Sequence, residues 1–500
     1  ALQWSYGKEE SLSFLVPNIK GGASGALIMN EELKDSKDYP NLKEFLQLNA
    51  QFYQNRTSSI ISDYFGNQAS TSGPVYMGAI ICFLFVLGVF LVKNPLKWPL
   101  LIMSLLALLL SWGKNYPVLT DFFWDYVPVY NKFRAVTIIL VILELSFPLL
   151  GILWLKEVFS DKEYFKKAFK MPFINKEYSY LKVTLFISIL FSFFLLLIIA
   201  KPSNFTTLTS KNEKEIFENP TYLSQQLNAL VSSNPNSYPK DKDAFIQKQL
   251  NLLHPKMDQA YDELKEYRES VIILESLRAA LFIFLAIVLM YLFVNLKISR
   301  NLFVVSLGLL VIIDLWQIDY RYLNADKDNS GNYTYWIEKE KKEIPYMPSN
   351  ADLAIYNNEL SNDPLLASKV NTSFQEYRDK REIVSRKENF SFRFSKLNQE
   401  TNYRVLLLSG GFSQETSISY FHKSLGGYNS TKIQRYQDLI DNMIMGQLQS
   451  ASNPYNLKDA HLINMLNAKY IITNPSGKGK FIDLDDPSTI SRENQQKTPG

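Results

Sequence analysis

The stretch AVTIILVILELSFPLLGILWL (135–155) decides the fold, because it is apolar throughout except for one charge, Glu144. A helix rises 1.5 Å per residue, so a run of this length crosses the ~30 Å hydrocarbon core of a bilayer. Five further runs have the same character: 75–92, 97–112, 183–200, 271–294 and 302–318. A single run could be a buried core helix. Six, rich in Leu, Ile and Phe, predict a polytopic α-helical membrane protein with about six spans, 75–318 forming a transmembrane bundle.

The basic residues orient it. Lys93 and Lys97 lie between the first two spans. Lys156, Lys162, Lys166, Lys167, Lys170, Lys176 and Lys182 lie between the third and fourth, and Lys297 and Arg300 in the last turn. These connections alternate with the others and are placed in the cytoplasm. Both ends of the chain, the 113–134 loop and the 201–270 loop are then extracytoplasmic. The chain opens at Ala1 with no leader-like run, so an outward start predicts further spans upstream in a longer protein.

The composition is that of a protein half in lipid and half in water: 47% hydrophobic and 14% aromatic, with a mean hydropathy of −0.10. A net charge of +4 without a basic, aromatic-interleaved cluster argues against nucleic acid as a partner. One cysteine, Cys82, excludes an internal disulfide. Three histidines (His254, His422, His461) without metal-ligand spacing indicate no metal site, and no cofactor motif is evident. A divalent metal remains conceivable without a ligand set to hold it.

Residues 1–74 read as an extracytoplasmic loop segment, with a short helix somewhere in 39–62. In 201–270, EIFENPTYLSQQLNALVSS and the run from Lys256 to Ser270 read as amphipathic helices, the second continuous with the fifth span. Residues 319–480 predict an extracytoplasmic α+β domain. Strands are expected at 389–397, 403–410 and 468–473, and helices at 431–448 and 456–467. Ile433, Tyr436, Leu439 and Ile440 are expected on one helical face. The tail 481–500 reads as disordered.

Candidate chemistry begins with Glu144. A carboxylate at mid-span costs several kcal/mol, about 2.5–3.5 for Asp, Lys or Arg on insertion scales. It is therefore expected to face the bundle interior, as a substrate or proton-linked group or as an interhelical hydrogen-bond partner. The 113–134 loop combines acids, cations and stacking aromatics. Asp121 or Asp125 is the candidate general base, Lys132 and Arg134 the candidate phosphate ligands, and Trp124, Tyr126 and Tyr130 the candidate sugar-stacking surfaces. Glu275 and Arg278 stand one turn apart and are expected to pair. Asp314, Asp319 and Arg321, with Trp316, Tyr320 and Tyr322, read as an interfacial anchor, Arg321 doubling as a headgroup ligand. In 417–441, His422, Lys423 and Arg435 flank a Gly426-Gly427 turn. That segment is an anion site or a plain turn-to-helix motif.

Taken together, WSYGKEES (4–11), DYFGNQASTSGPVYMGAI (63–80), LLSWGKN (109–115), DYVPVYNKFRAV (125–136), DLWQIDYRYLN (314–324), SYFHKSLGGYNSTKIQRYQDLID (419–441) and MLNAKYII (465–472) resemble the bacterial YfhO-type integral membrane proteins. The likeness runs from residue 4 to about 473, in order. That family is similar to the GT-C glycosyltransferases. The resemblance implies sugar transfer from a polyprenyl-phosphate donor to an envelope glycan or glycolipid acceptor, on the outer face of the bacterial plasma membrane. The acidic signature of GT-C enzymes lies in a first outer loop that would precede Ala1, so no catalytic base carries over to a residue here. A lipid-linked sugar transporter or flippase and a non-catalytic envelope-assembly scaffold are the alternatives.

Overall fold

The computed structural model describes all of 1–500 except 1, 3, 31–32, 35, 53–60, 131–134, 162, 171–176, 220, 222–223, 226, 229–230, 232–240, 296, 328–330, 332, 382, 409–415, 429–432, 447–460, 475–479 and 485–500. The chain forms two compact units, Ala1–Asp326 and Lys327–Gly500.

Unit 1 contains α1 (Pro40–Phe52), α2 (Ala79–Leu91), α3 (Lys97–Ser111), α4 (Pro117–Tyr126) and α5 (Val141–Ser160), the last led in by a 3₁₀ turn, Val136–Leu140. A short hairpin, β1 (Ala168–Lys170) with β2 (Glu177–Ser179), precedes α6 (Tyr180–Ala200). Then come α7 (Lys211–Glu218), α8 (Lys242–Leu253), α9 (Met257–Val294) and α10 (Arg300–Tyr322).

Among the described residues, four helical segments are long and apolar enough to cross a membrane: Val136–Ser160, Tyr180–Ala200, Met257–Val294 and Arg300–Tyr322. Their outward faces expose large apolar side chains, Ile138 at 70%, Ile189 at 68% and Trp316 at 66% among them. Water does not tolerate such a surface, and lipid does. The other two expected spans are shorter than the sequence suggests, 13 and 15 residues. The apolar run from residue 75 begins as loop, because Asp314 on α10 accepts the Ala79 amide at 2.8 Å and starts α2 there. Chain polarity and a distant cap, not hydropathy, set that boundary.

Lipid tails are as apolar as Leu, so bundle helices are held by close packing rather than by exclusion of water. Gly88 on α2 is one such contact: a Cβ there would stand 2.7 Å from the Leu150 carbonyl oxygen on α5. Around it Leu87, Leu150, Trp154, Ile187 and Ile283 close a common core. The 38-residue α9 is shared between two cores. Its second half packs in the bundle through Ile272, Ala279, Ile283 and Ala286. Its first half, through Ala260, Leu264 and Tyr267, joins Leu42, Phe45, Ile216 and Ile246 of α1, α7 and α8 in a separate cap. The continuity of 256–270 with the fifth span and the helix within 39–62 both agree with the sequence reading.

Unit 2 comprises α11 (Lys339–Glu343), α12 (Asn350–Asn362), α13 (Pro364–Asp379), α14 (Arg386–Glu400), β3 (Arg404–Leu407), α15 (Gln434–Leu439, continued by a π turn Ile440–Ile444), α16 (His461–Met465), β4 (Ala468–Asn474) and β5 (Lys480–Asp483). β4 is central, parallel to β3 and antiparallel to β5. Its alternation is sharp: Ile471 packs with Ile440, Ile444 and Ile463 on one face, Tyr470 and Ile472 with Ile355 and Val405 on the other.

One expected strand is wrong. NFSFRFSKL (389–397) lies inside α14. Its Phe390/Phe392/Phe394 alternation imitates a strand, but Ser385 and Glu388 form a capping box that starts a helix. Phe390, Phe394 and Leu397 then share one helical face toward α12 and α13, while Phe392 stacks on Tyr377. Ile433 also departs from its expected face. It precedes α15 and is 72% exposed, whereas Ile440 is buried. The expected segments 409–410, 431–432, 447–448 and 456–460 lie outside the described residues.

Candidate functional site

Three of the motif segments meet at one end of the unit 1 bundle. The Tyr6 amide donates to the Ser111 carbonyl at 2.8 Å. Asn115 Nδ2 donates to the Tyr6 carbonyl at 2.8 Å, the Lys114 amide to Ser5 Oγ at 3.0 Å, and Trp112 Nε1 to Ser11 Oγ at 2.9 Å. WSYGKEES is thereby docked on SWGKN. The third segment, DYFGNQAS, is held by Glu10. This buried carboxylate accepts from the Gly7 amide, the Tyr64 hydroxyl, the Asn67 amide at 3.3 Å and Gln68 Nε2 at 3.5 Å. Gly66 is required here, since a Cβ would collide with Glu10 Oε1 and the Tyr64 hydroxyl.

A narrow cleft runs beside this staple, lined by Tyr6, Glu10, Lys20, Tyr64 and Gln68 among others. Lys20 crosses its wall with all three donors engaged: Glu9 Oε2 at 2.6 Å, the Thr207 carbonyl at 2.8 Å and Thr207 Oγ1 at 2.7 Å. Burial holds the Lys20 ammonium below the usual lysine range against the pull of Glu9. Burial alone would raise the Glu9 carboxyl, but Lys20 and Thr207 outweigh it and hold it low. Burial, reinforced by Glu10, pushes the Tyr64 phenol up. Arg268 meets the same motif at Phe65. It is paired with Glu213 at 2.7 Å, both 3% exposed, and stacked 4.0 Å from the Phe65 ring centre. These charges are mutually satisfied, so they fix loop geometry rather than stand ready for a ligand.

The open chemistry lies next to them, on α4. Pro117 starts this helix, and Thr120 Oγ1 ties it to the Gly113 carbonyl at 2.7 Å. Phe122 and Tyr126, with ring centres 5.3 Å apart, continue an exposed stripe from Val118. One residue back, Asp121 and Asp125 form a parallel exposed stripe at i, i+4. Trp124 and Tyr130 are half-buried, Tyr130 against Phe123. The exposed Lys8 ammonium lies 5.4 Å from the Tyr116 ring centre and 5.9 Å from that of Trp112. An aromatic stripe flanked by carboxylates can stack on a sugar face and accept its hydroxyls. Lys8, over Tyr116 at the start of the helix, is a cation that can meet a phosphate.

The other expected site residues fall elsewhere. Lys132 and Arg134 lie outside the described residues. Glu144 does not face the bundle interior: it is exposed, in the first turn of α5, where the helix dipole favours a carboxylate. Arg321 is not a free headgroup ligand but an ion-pair partner of Glu275. Glu275 also pairs with Arg278 as expected, at 2.9 Å, and Arg278 reaches Asp314 at 2.7 Å and the Tyr76 hydroxyl at 2.9 Å. That network ties α9, α10 and the 63–80 motif together.

In unit 2, His422 is buried rather than presented to a ligand. Its Nδ1 is 3.3 Å from the Tyr403 hydroxyl and its Nε2 3.4 Å from Asp352 Oδ1. Lys423 donates to the Thr401 carbonyl and to Asn402 Oδ1, the latter at 3.0 Å, and so locks a turn. Arg435 is exposed on α15. These three do not assemble into an anion site.

Sequence reasoning missed Lys8, Glu9, Glu10, Lys20 and Arg268. The usable signal was two aromatic-glycine pairs, Tyr6-Gly7 and Phe65-Gly66, one followed closely by two acids. Among the described residues, no three His, Cys, Asp or Glu side chains gather as a metal-binding group. No protein-family model matches the chain, nor does any curated protein or solved structure.

Proposed function

We propose that this chain is a multi-pass, glycosyltransferase-like protein of the bacterial plasma membrane, related to the YfhO-type and GT-C proteins. It would transfer a sugar from a polyprenyl-phosphate donor to an envelope glycan or glycolipid on the outer face. In this reading all six apolar segments belong to the membrane bundle, both ends are extracytoplasmic, and unit 2 is an outer domain. The observation that carries it is the α4 platform: exposed Phe122 and Tyr126, flanked by Asp121 and Asp125, with Lys8 over Tyr116 at the start of the helix. Stacking aromatics with adjacent carboxylates suit a sugar. A cation suits the phosphate that leaves as an anion.

The test uses cells lacking the full-length gene, re-supplied with parent or with Asp121→Asn/Asp125→Asn. Their polyprenyl-phosphate sugars and surface glycans are compared by mass spectrometry. Loss of one sugar-sized unit from the glycan, with build-up of its lipid-linked donor, supports transfer at this platform. Unchanged pools in the deletion strain overturn it. The second reading, an assembly scaffold, draws on the engagement of Glu10, Lys20 and Arg268 with neighbouring groups, which holds loops in place. A flippase is less well served, since Glu144 is on the exposed face.

A further inference from the structure

The turn between α13 and α14 in unit 2 has a second character of its own. In sequence, Arg378–Glu388 holds five basic residues (Arg378, Lys380, Arg381, Arg386, Lys387) against three acids (Asp379, Glu382, Glu388). Ile383, in its middle, is 86% exposed, the highest value among the described large hydrophobic residues. Beside it lies an open, polar-lined cleft of ≈ 590 Å³ walled by Arg378, Asp379, Arg381, Asn389, Phe374 and Val384.

The turn is built on firm supports. The Arg381 guanidinium lies 4.1 Å from the Tyr377 ring centre and bonds its hydroxyl. Tyr377 in turn stacks on Phe392 at 4.2 Å. The Ser385–Glu388 capping box fixes the start of α14. Arg381 is also 3.7 Å from Glu388, and Lys387 donates to the Ile344 carbonyl at 3.2 Å. Arg378 and Lys380 carry no carboxylate partner among the described residues, and Arg386 lies only against Phe390. An apolar tip with unpaired cations around it is suited to an anionic, partly apolar interface.

We propose that this turn seats on an anionic bilayer surface, with Ile383 in the headgroup layer and Arg378, Lys380 and Arg386 facing lipid phosphates. The occupant follows from charge complementarity and from tethering: unit 2 continues directly from α10, a helix long and apolar enough to cross a membrane. Each cation near an anionic leaflet adds to the attraction, which fades within a Debye length. The inference rests on the membrane character of unit 1 and not on sugar transfer.

The test places NBD on Ile383→Cys, in a Cys82→Ala background of the full chain, in nanodiscs of phosphatidylglycerol or of phosphatidylcholine. In phosphatidylglycerol the emission moves to shorter wavelength and the probe is shielded from an aqueous quencher. In phosphatidylcholine neither happens. The shift is lost with Lys380→Glu/Arg386→Glu, and in 1 M salt, where the screening length is about 3 Å. The same probe on Leu365→Cys, 77% exposed at the far end of α13, stays aqueous in both lipids. Aqueous emission from position 383 in both lipids overturns the proposal. So does an equal shift at 365, which would report general collapse of unit 2 onto lipid.

Discussion

Replacing Arg278 by Met removes one charge from a group of four. Glu275 and Asp314 are 5% and 1% exposed at their side chains, and Arg278 and Arg321 are their cations. The intact set balances two negative against two positive groups. In Arg278→Met, Arg321 still holds Glu275, but Asp314 keeps only neutral donors, the Tyr76 hydroxyl at 2.7 Å and the Ala79 amide at 2.8 Å. Breaking a buried pair from one side costs about 3–5 kcal/mol, because an uncompensated charge stays behind. At about 2.1 cal/mol/K of unfolding entropy per residue, unit 1 (Ala1–Asp326) shifts by about 1.5 °C per kcal/mol, so Tm should fall by about 4–7 °C. Tryptophan fluorescence during heating of the detergent-solubilised full chain reads this directly. The double variant Arg278→Met/Asp314→Asn restores balance, one negative to one positive group, and the amide oxygen can still accept from Ala79. It should recover at least half of the loss. A single variant as stable as the parent, or a double variant that loses the sum of two independent losses, refutes the coupling.

Glu10→Gln sets an amide N–H₂ against two of the donors that converge on Glu10. At about 1.5–3 kcal/mol per charge-assisted bond, the loss should be roughly 3–6 kcal/mol. Faster amide exchange at Tyr64–Gln68, with the α4 amides unchanged, is the expected signature. For Glu9, the folded carboxyl is held low by Lys20 and Thr207 despite burial. Its stabilisation is therefore present above the unfolded value of about 4.3 and lost as pH falls through the folded value. Acid titration below about pH 4 should weaken unit 1, Glu9→Gln should flatten that slope, and an identical slope in the variant counts against the Glu9–Lys20 pair. Glu144→Leu, on an exposed position of α5, should leave stability unchanged or raised and leave surface glycans intact. A lost glycan unit would return Glu144 to a functional role.

The apolar runs were legible because composition alone states the cost of placing them in water. Their ends were less so. α2 starts four residues into its run because of Asp314, 235 positions along the chain, and no local pattern reports such a cap. The candidate site was half legible. The aromatics and acids of α4 announce themselves by type and spacing, whereas Glu10 and Lys20 look like ordinary surface charges in WSYGKEES and VPNIK. Glu10 is enclosed only when 64–68 folds onto 7–10, and Lys20 only when Glu9 and the distant Thr207 close on it. The α14 error has the same origin, since Phe390, Phe392 and Phe394 alternate in sequence but are divided between a core face and a contact with Tyr377.

By itself, then, the sequence determined that long apolar helices would seek lipid, that 468–473 would be a strand, and that 256–294 would run as one helix. Hydropathy and periodicity are local properties, read over a few turns. Tertiary structure alone decided which carboxylates are buried and answered by a cation from far along the chain, as Glu213 and Asp314 are, and which remain exposed, as Glu144, Asp121 and Asp125 do. Burial of a charge depends on partners brought from far along the chain, and that information exists only once the chain has folded.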